Sequence, residues 1–149
     1  MDLTELYRHC TLCPRQCGVD RTAGQRGFCG QPAHIQAARA SLHKWEEPCL
    51  AGEHGAGTIF FTGCTMDCLF CQNQELKQPG AGWPIGPERF AQICLELQQQ
   101  KAACLDLVTP TMFLPSLIPA LKLAKEQGCT LPVVYNTSGY ERPELLDLL

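Results

Sequence analysis

Three cysteines stand within eight residues at Cys64-x3-Cys68-x2-Cys71, in the stretch GCTMDCLFC of residues 63–71. Three thiolates fall one short of the four ligands that close a tetrahedral zinc site. They suffice for three irons of a four-iron, four-sulfur cluster and leave the fourth iron open to an outside ligand. Spacings of four and three residues in a loop let the sulfurs converge while the backbone wraps the cluster. An open iron can chelate the amino and carboxylate groups of S-adenosylmethionine. A reduced cluster can then pass one electron to the sulfonium, giving methionine and a 5′-deoxyadenosyl radical, while the protein positions and shields the reacting groups. The alternatives are a zinc site that borrows a fourth ligand such as His54, or three incidental thiols.

A second set, Cys10-x2-Cys13-x3-Cys17-x11-Cys29, supplies four thiolates by itself. A closed zinc site would order a segment too poor in apolar residues to build a core. A second iron–sulfur cluster acting as an electron relay is the other reading, and spacing does not choose between them. Cys94 falls on a helical apolar face and Cys104 begins a buried strand, so both read as core. Cys49 and Cys129 have no assigned role. The histidines, His9, His34, His43 and His54, are singletons, and none stands beside a cysteine in a way that makes a nucleophile and its base.

The elements that must position these thiols can be read from pattern. Residues 1–55 form a cysteine-rich head and linker, and residues 56–149 the body. HIQAARASLHKW, residues 34–45, reads as a strand, and EEPCLAGEHGAG as a loop. TIFFTG is a buried strand that delivers the triad directly after its end. QPGAGWPIGP reads as a loop. Phe90, Ile93, Cys94 and Leu97 then mark one helix face, with Pro87 suited to its start. CLDLVTPT is a second strand of the body. Leu114, Leu117, Ile118 and Leu121 mark a second helix that Gly128 stops. LPVVYNTSG is a third strand, and RPELLDLL opens a third helix. The order βαβαβα predicts an α/β fold with a parallel sheet. The turns after its strands, including Thr109-Pro110-Thr111 and Asn136-Thr137-Ser138-Gly139, would gather at one edge, where barrel folds do their chemistry. The third strand would leave an uncovered edge, which suggests a fragment or one half of a two-chain protein.

Eleven cysteines in 149 residues is the anomalous count. The number is odd and the N-terminus, MDLTELYRHC, lacks the charged start and apolar run of an export signal, so a reducing, cytoplasmic setting is expected. Net charge is −3 with 45% hydrophobic residues, which predicts a packed core and no electrostatic footprint for nucleic acid or an acidic membrane.

Cys64, Cys68, Phe70 and Cys71 match in every place the Cys-x3-Cys-x-aromatic-Cys signature of the radical S-adenosylmethionine family, which the sequence resembles. GTIFFTGCTMDCLFCQNQE, CTLCPRQCGVDRTAGQRGFCG and LVTPTMFLP with VVYNTSGYE together resemble the proteins related to pyruvate formate-lyase-activating enzymes, over nearly the whole chain. The resemblance implies the first half, about three βα units, of a partial TIM-like barrel with a four-iron cluster and S-adenosylmethionine as cofactors. It implies that Phe70 lies against the adenine. It further implies an oxidoreductase that abstracts hydrogen from a glycine of a partner, a glycyl radical enzyme, with flavodoxin or ferredoxin as reductant. The activases carry Gly-Gly-Glu after the second strand to bind the cofactor's amino group. This chain has Thr109-Pro110-Thr111 there, leaving Thr109, Thr111, Asn136 and Ser138 as polar substitutes. Family members continue to about six strand–helix units, so a second chain completing the barrel is a further expectation. Two readings of other classes stand beside this one: a truncated, non-catalytic iron–sulfur or zinc module, and a purely zinc-structural interaction domain.

Overall fold

A computed structural model describes residues 2–78 and 80–148 of the chain. Met1, Pro79 in the expected loop and Leu149 at the end of the third expected helix lie outside them. The described residues build five strands: β1 (Ile35–His43), β2 (Ala56–Phe61), β3 (Trp83–Ile85), β4 (Leu105–Val108) and β5 (Val133–Asn136). Four helices accompany them: α1 (Pro48–Ala51), α2 (Pro87–Gln99), α3 (Leu114–Glu126) and α4 (Pro143–Leu146). The strands form one open sheet in the order β3-β1-β2-β4-β5.

The expected βα alternation is present. β4 lies parallel to β2, with Thr58 opposite Asp106, and β5 lies parallel to β4, with Leu107 opposite Tyr135. The strand of residues 34–45 joins the same sheet from the other side, as β1 antiparallel to β2. Its register slips between Ala37 and Arg39, a bulge that bends the strand.

Apolar spacing decides which face is covered. Phe90, Ile93, Cys94 and Leu97 of α2 and Leu117, Ala120 and Ala124 of α3 pack with Ile59, Phe61, Leu105 and Leu107 from the strands. Burying each of the larger side chains contributes about 1.5–3 kcal/mol relative to exposure. Pro87 occupies the first turn of α2, where its missing N–H is no loss. Gly128 takes φ +100° just past α3, with its N–H on Lys125 O, so the expected glycine stop is present. The second face of the sheet carries Thr58 and Asp106, both fully buried.

Two expected loops contain regular structure. EEPCLAGEHGAG holds α1, because Pro48 opens a turn whose Leu50 and Ala51 N–H groups donate to Glu47 O. QPGAGWPIGP holds β3, which pairs Ile85 with Ile35 and Pro84 with Gln36. Two prolines close to Trp83 resemble loop punctuation, yet an edge strand tolerates a residue without a ladder donor. At the opposite edge β5 has no neighbour beyond it among the described residues. The sheet is therefore mixed and open, not closed into a barrel. No helix among the described residues is long and apolar enough to cross a membrane.

Candidate metal centre

The chain after β2 turns sharply at Gly63, which has φ +73° and donates its N–H to Lys77 O at 2.8 Å. The turn delivers Cys64, Cys68 and Cys71, each half-buried, into one loop at the end of the sheet where β4 also ends. The Met66 N–H points at Cys64 Sγ, 3.4 Å away, and the Cys71 N–H donates to Cys68 O at 3.3 Å. Asp67 sits at φ +57° between the first two cysteines. Lys77 folds under the loop with its side chain 9% exposed. Its ammonium meets Asp67 Oδ1 at 2.5 Å and Cys68 O at 3.2 Å. The Asp67 carboxylate chiefly, then the Cys71 and Cys64 thiols, raise the lysine's pKa, so it stays a cation beside the sulfurs. Leu69 and Phe70 are 95% and 91% exposed, which leaves the aromatic ring free at the surface.

Cys64, Cys71, Lys77, Val108 and Thr109 line one cavity at this edge. Thr109, held at φ +47°, is thus the polar candidate that the fold brings to the triad. Thr111 is buried and turned elsewhere: its hydroxyl donates to the Glu141 carboxylate at 2.7 Å and lies 2.9 Å from Tyr135 OH. Asn136 Nδ2 reaches Asp106 Oδ2 at 3.4 Å. Ser138 Oγ is buried without a partner. Glu141 also accepts from Thr137 Oγ1 at 2.8 Å, so the loop after β5 brings a carboxylate to the end of β4, where the sequence itself has none. Burial, ahead of every other influence, raises the Tyr135 pKa and keeps that hydroxyl protonated.

The four head cysteines converge on a second, small cavity that they share with Arg15, Arg21 and Thr65. The buried Arg21 stacks over Tyr7 at 4.5 Å and approaches Cys10 Sγ at 3.8 Å. The Phe28 N–H donates to Cys17 Sγ at 3.3 Å. Burial pushes the Cys13 and Cys29 thiols up in pKa, so thiolates here require a neighbouring cation. Cys29 also lines a cavity with Cys64, Asp67 and Lys77, and its carbonyl lies against Gly63. The two cysteine sets therefore abut.

Among the described residues no three Cys, His, Asp or Glu side chains stand at ligating distance around a common point. Either set must turn its thiols inward to hold a metal. His54 is not available to the triad: it precedes β2 while the triad follows it, and six strand residues span about 20 Å. The chemistry of the triad's surroundings fits an anionic thiolate-ligated group, because an N–H already points at one sulfur and Lys77 lines the same cavity as Cys64 and Cys71. Arg15, Lys77 and Glu141 escaped the sequence reading; a charged side chain inside or just after a cysteine cluster was the available signal for the first two.

Comparison with known proteins bears on the same segment. A family described as "4Fe-4S single cluster domain" matches residues 50–147. The chain is also similar to "Uncharacterized protein MJ0674" of Methanocaldococcus jannaschii, 31% identical over 153 residues, covering 97% of this chain and 43% of that protein. The chain thus spans less than half the length of that relative. No solved structure matches it.

Proposed function

Because the chain belongs to the 4Fe-4S single cluster domain family, we propose that Cys64, Cys68 and Cys71 hold a four-iron cluster with one iron left open for S-adenosylmethionine. The observation that carries this reading is the triad itself: three thiols on one loop, at the end of the parallel strands, inside the matched residues 50–147. The family is found in radical S-adenosylmethionine-related proteins, which supports the second half of the proposal. A reduced cluster of this kind supplies one electron to the cofactor's sulfonium. Thr109, which shares a cavity with Cys64 and Cys71, would take a polar group of the cofactor, whereas Thr111 and Asn136 are engaged by Glu141 and Asp106. The Glu141 carboxylate would accept from the cofactor's ammonium. Phe70, exposed at the loop's surface, would cover the adenine. Lys77 offsets the negative charge of a thiolate-held cluster.

The open edge at β5 supports reading the sheet as the first part of a partial barrel that further strand–helix units complete, in the same polypeptide or in a second one. The four head thiols, gathered on their own cavity, form a second metal site, zinc or another cluster. The division into a head of residues 1–55 and a body of residues 56–149 remains part of the proposal, as does a cytoplasmic setting. So do the activase-like reaction on a glycine of a glycyl radical enzyme and a flavodoxin or ferredoxin reductant.

Electron paramagnetic resonance of the anaerobically reconstituted, reduced protein tests the core of the proposal. A four-iron signal that shifts on adding S-adenosylmethionine, and that Cys68→Ser abolishes, is expected. A signal indifferent to the cofactor would favour a non-catalytic iron–sulfur module, and absence of iron would sink the reading.

A further inference from the structure

Arg15 lies between two head cysteines, Cys13 and Cys17, yet its guanidinium works on the triad loop. Nε donates to Thr65 O at 3.1 Å and Nη2 approaches Met66 O at 3.5 Å. The plane is held by the Phe28 ring, 3.8 Å from the guanidinium carbon, and by the Tyr140 ring at 5.4 Å. Stacking of this type fixes the direction of the donor fork, which a lysine cannot reproduce.

The carbonyl that Arg15 Nε holds belongs to the same rigid peptide plane as the Met66 N–H, and that N–H points at Cys64 Sγ. One end of the peptide dipole rests on a cation and the other on a sulfur. A charge-assisted bond at the carbonyl polarises the group and strengthens what the N–H donates.

We propose that Arg15 is a positioning residue of the triad: through the Thr65–Met66 peptide it sets the hydrogen bond received by Cys64 sulfur, and thereby raises the reduction potential of a cluster held there. Hydrogen bonds to the ligating sulfurs are among the quantities that set such potentials; donors and nearby positive charge favour the more negative, reduced state. The potential half rests on the cluster reading above, whereas the peptide half does not. The head then has a task at the triad besides any metal of its own.

The test uses the full chain with Arg15→Ala and Arg15→Lys. Hydrogen–deuterium exchange, read on peptides covering residues 62–70 without added iron, is expected to be several-fold faster at Met66 in Arg15→Ala, with Arg15→Lys intermediate. Anaerobic redox titration of the reconstituted proteins, followed by the cluster's paramagnetic signal, is expected to give a lower potential in the same order. Unchanged exchange in Arg15→Ala would overturn the proposal. Faster exchange with an unmoved potential would overturn its potential half. If the wild type holds no iron, the cluster reading fails on its own and exchange still decides the role of Arg15. Should Arg15→Ala not fold, Arg15→Lys carries both measurements.

Discussion

Replacing Gly63 by alanine places a methyl group 2.6 Å from the Cys29 carbonyl oxygen and 2.5 Å from Gln31 Cγ. Neither neighbour is a free side-chain end. The carbonyl is backbone, and Gln31 is buried with Oε1 accepting from Thr62 Oγ1 at 2.7 Å. The glycine also holds φ +73°, where an L-residue costs about 1–2 kcal/mol. Forcing a methyl into a packed contact adds about 1–3 kcal/mol. The sum, roughly 2–5 kcal/mol, is a large share of the ~5–15 kcal/mol that keeps a domain folded. Gly128→Ala is the control, because Gly128 has φ +100° with nothing within 4 Å of the added atom. Urea denaturation under reducing conditions should therefore place Gly63→Ala about 1–3 kcal/mol below Gly128→Ala, the overpacking contribution alone. Equal losses would refute the reasoning: the Cys29–Gln31 segment would then yield freely, and head and triad would not be in fixed contact.

Two further outcomes follow from buried groups. Asp106 is fully buried with Oδ1 unpartnered, and burial, ahead of its other neighbours, raises its pKa above the ordinary 3.8. The folded form then keeps its proton where the unfolded form has released it, so stability is lost as pH rises through the raised value. Asp106→Asn should remove that loss, gaining stability over the wild type toward neutral pH and little in acid; denaturation midpoints across that range check it, and parallel curves would count against it. Cys94 is fully buried, its thiol pushed up to about 12 chiefly by burial, while Cys49 is exposed. Iodoacetamide followed by mass spectrometry should label Cys49 in the folded protein and Cys94 only after unfolding; comparable rates would show the α2 interface to be open.

The parts of the fold with repetition were legible. Phe90, Ile93, Cys94 and Leu97 announce α2 through helical spacing, and TIFF announces β2 through continuous apolarity. β3 was not legible, because three residues give no period and Pro84 points to a loop; only its pairing with β1 makes it a strand. α1 is hidden for the same reason, at four residues. At the site, the triad's spacing is itself the signal. Arg15 meets Thr65 across 50 residues and Glu141 meets Thr111 across 30, and such pairings leave no mark in a local pattern. The choice among Thr109, Thr111, Asn136 and Ser138 likewise depended on which way each turn faces.

The longest-range bonds have a consequence for the order of assembly. Tyr7 OH meets Ser116 Oγ across 109 residues, Ser116 Oγ donates to Ala33 O across 83, and Arg142 reaches Thr11 O across 131. Contacts so distant in sequence bear the largest loop-closure cost and tend to form late. The head leaves the ribosome before its docking surface on α3 and the loop after β5 does. During that interval Tyr7, Thr11 and Ala33 lack the partners that Ser116 and Arg142 later supply, so folding of the head and its docking on the body are separate events in time.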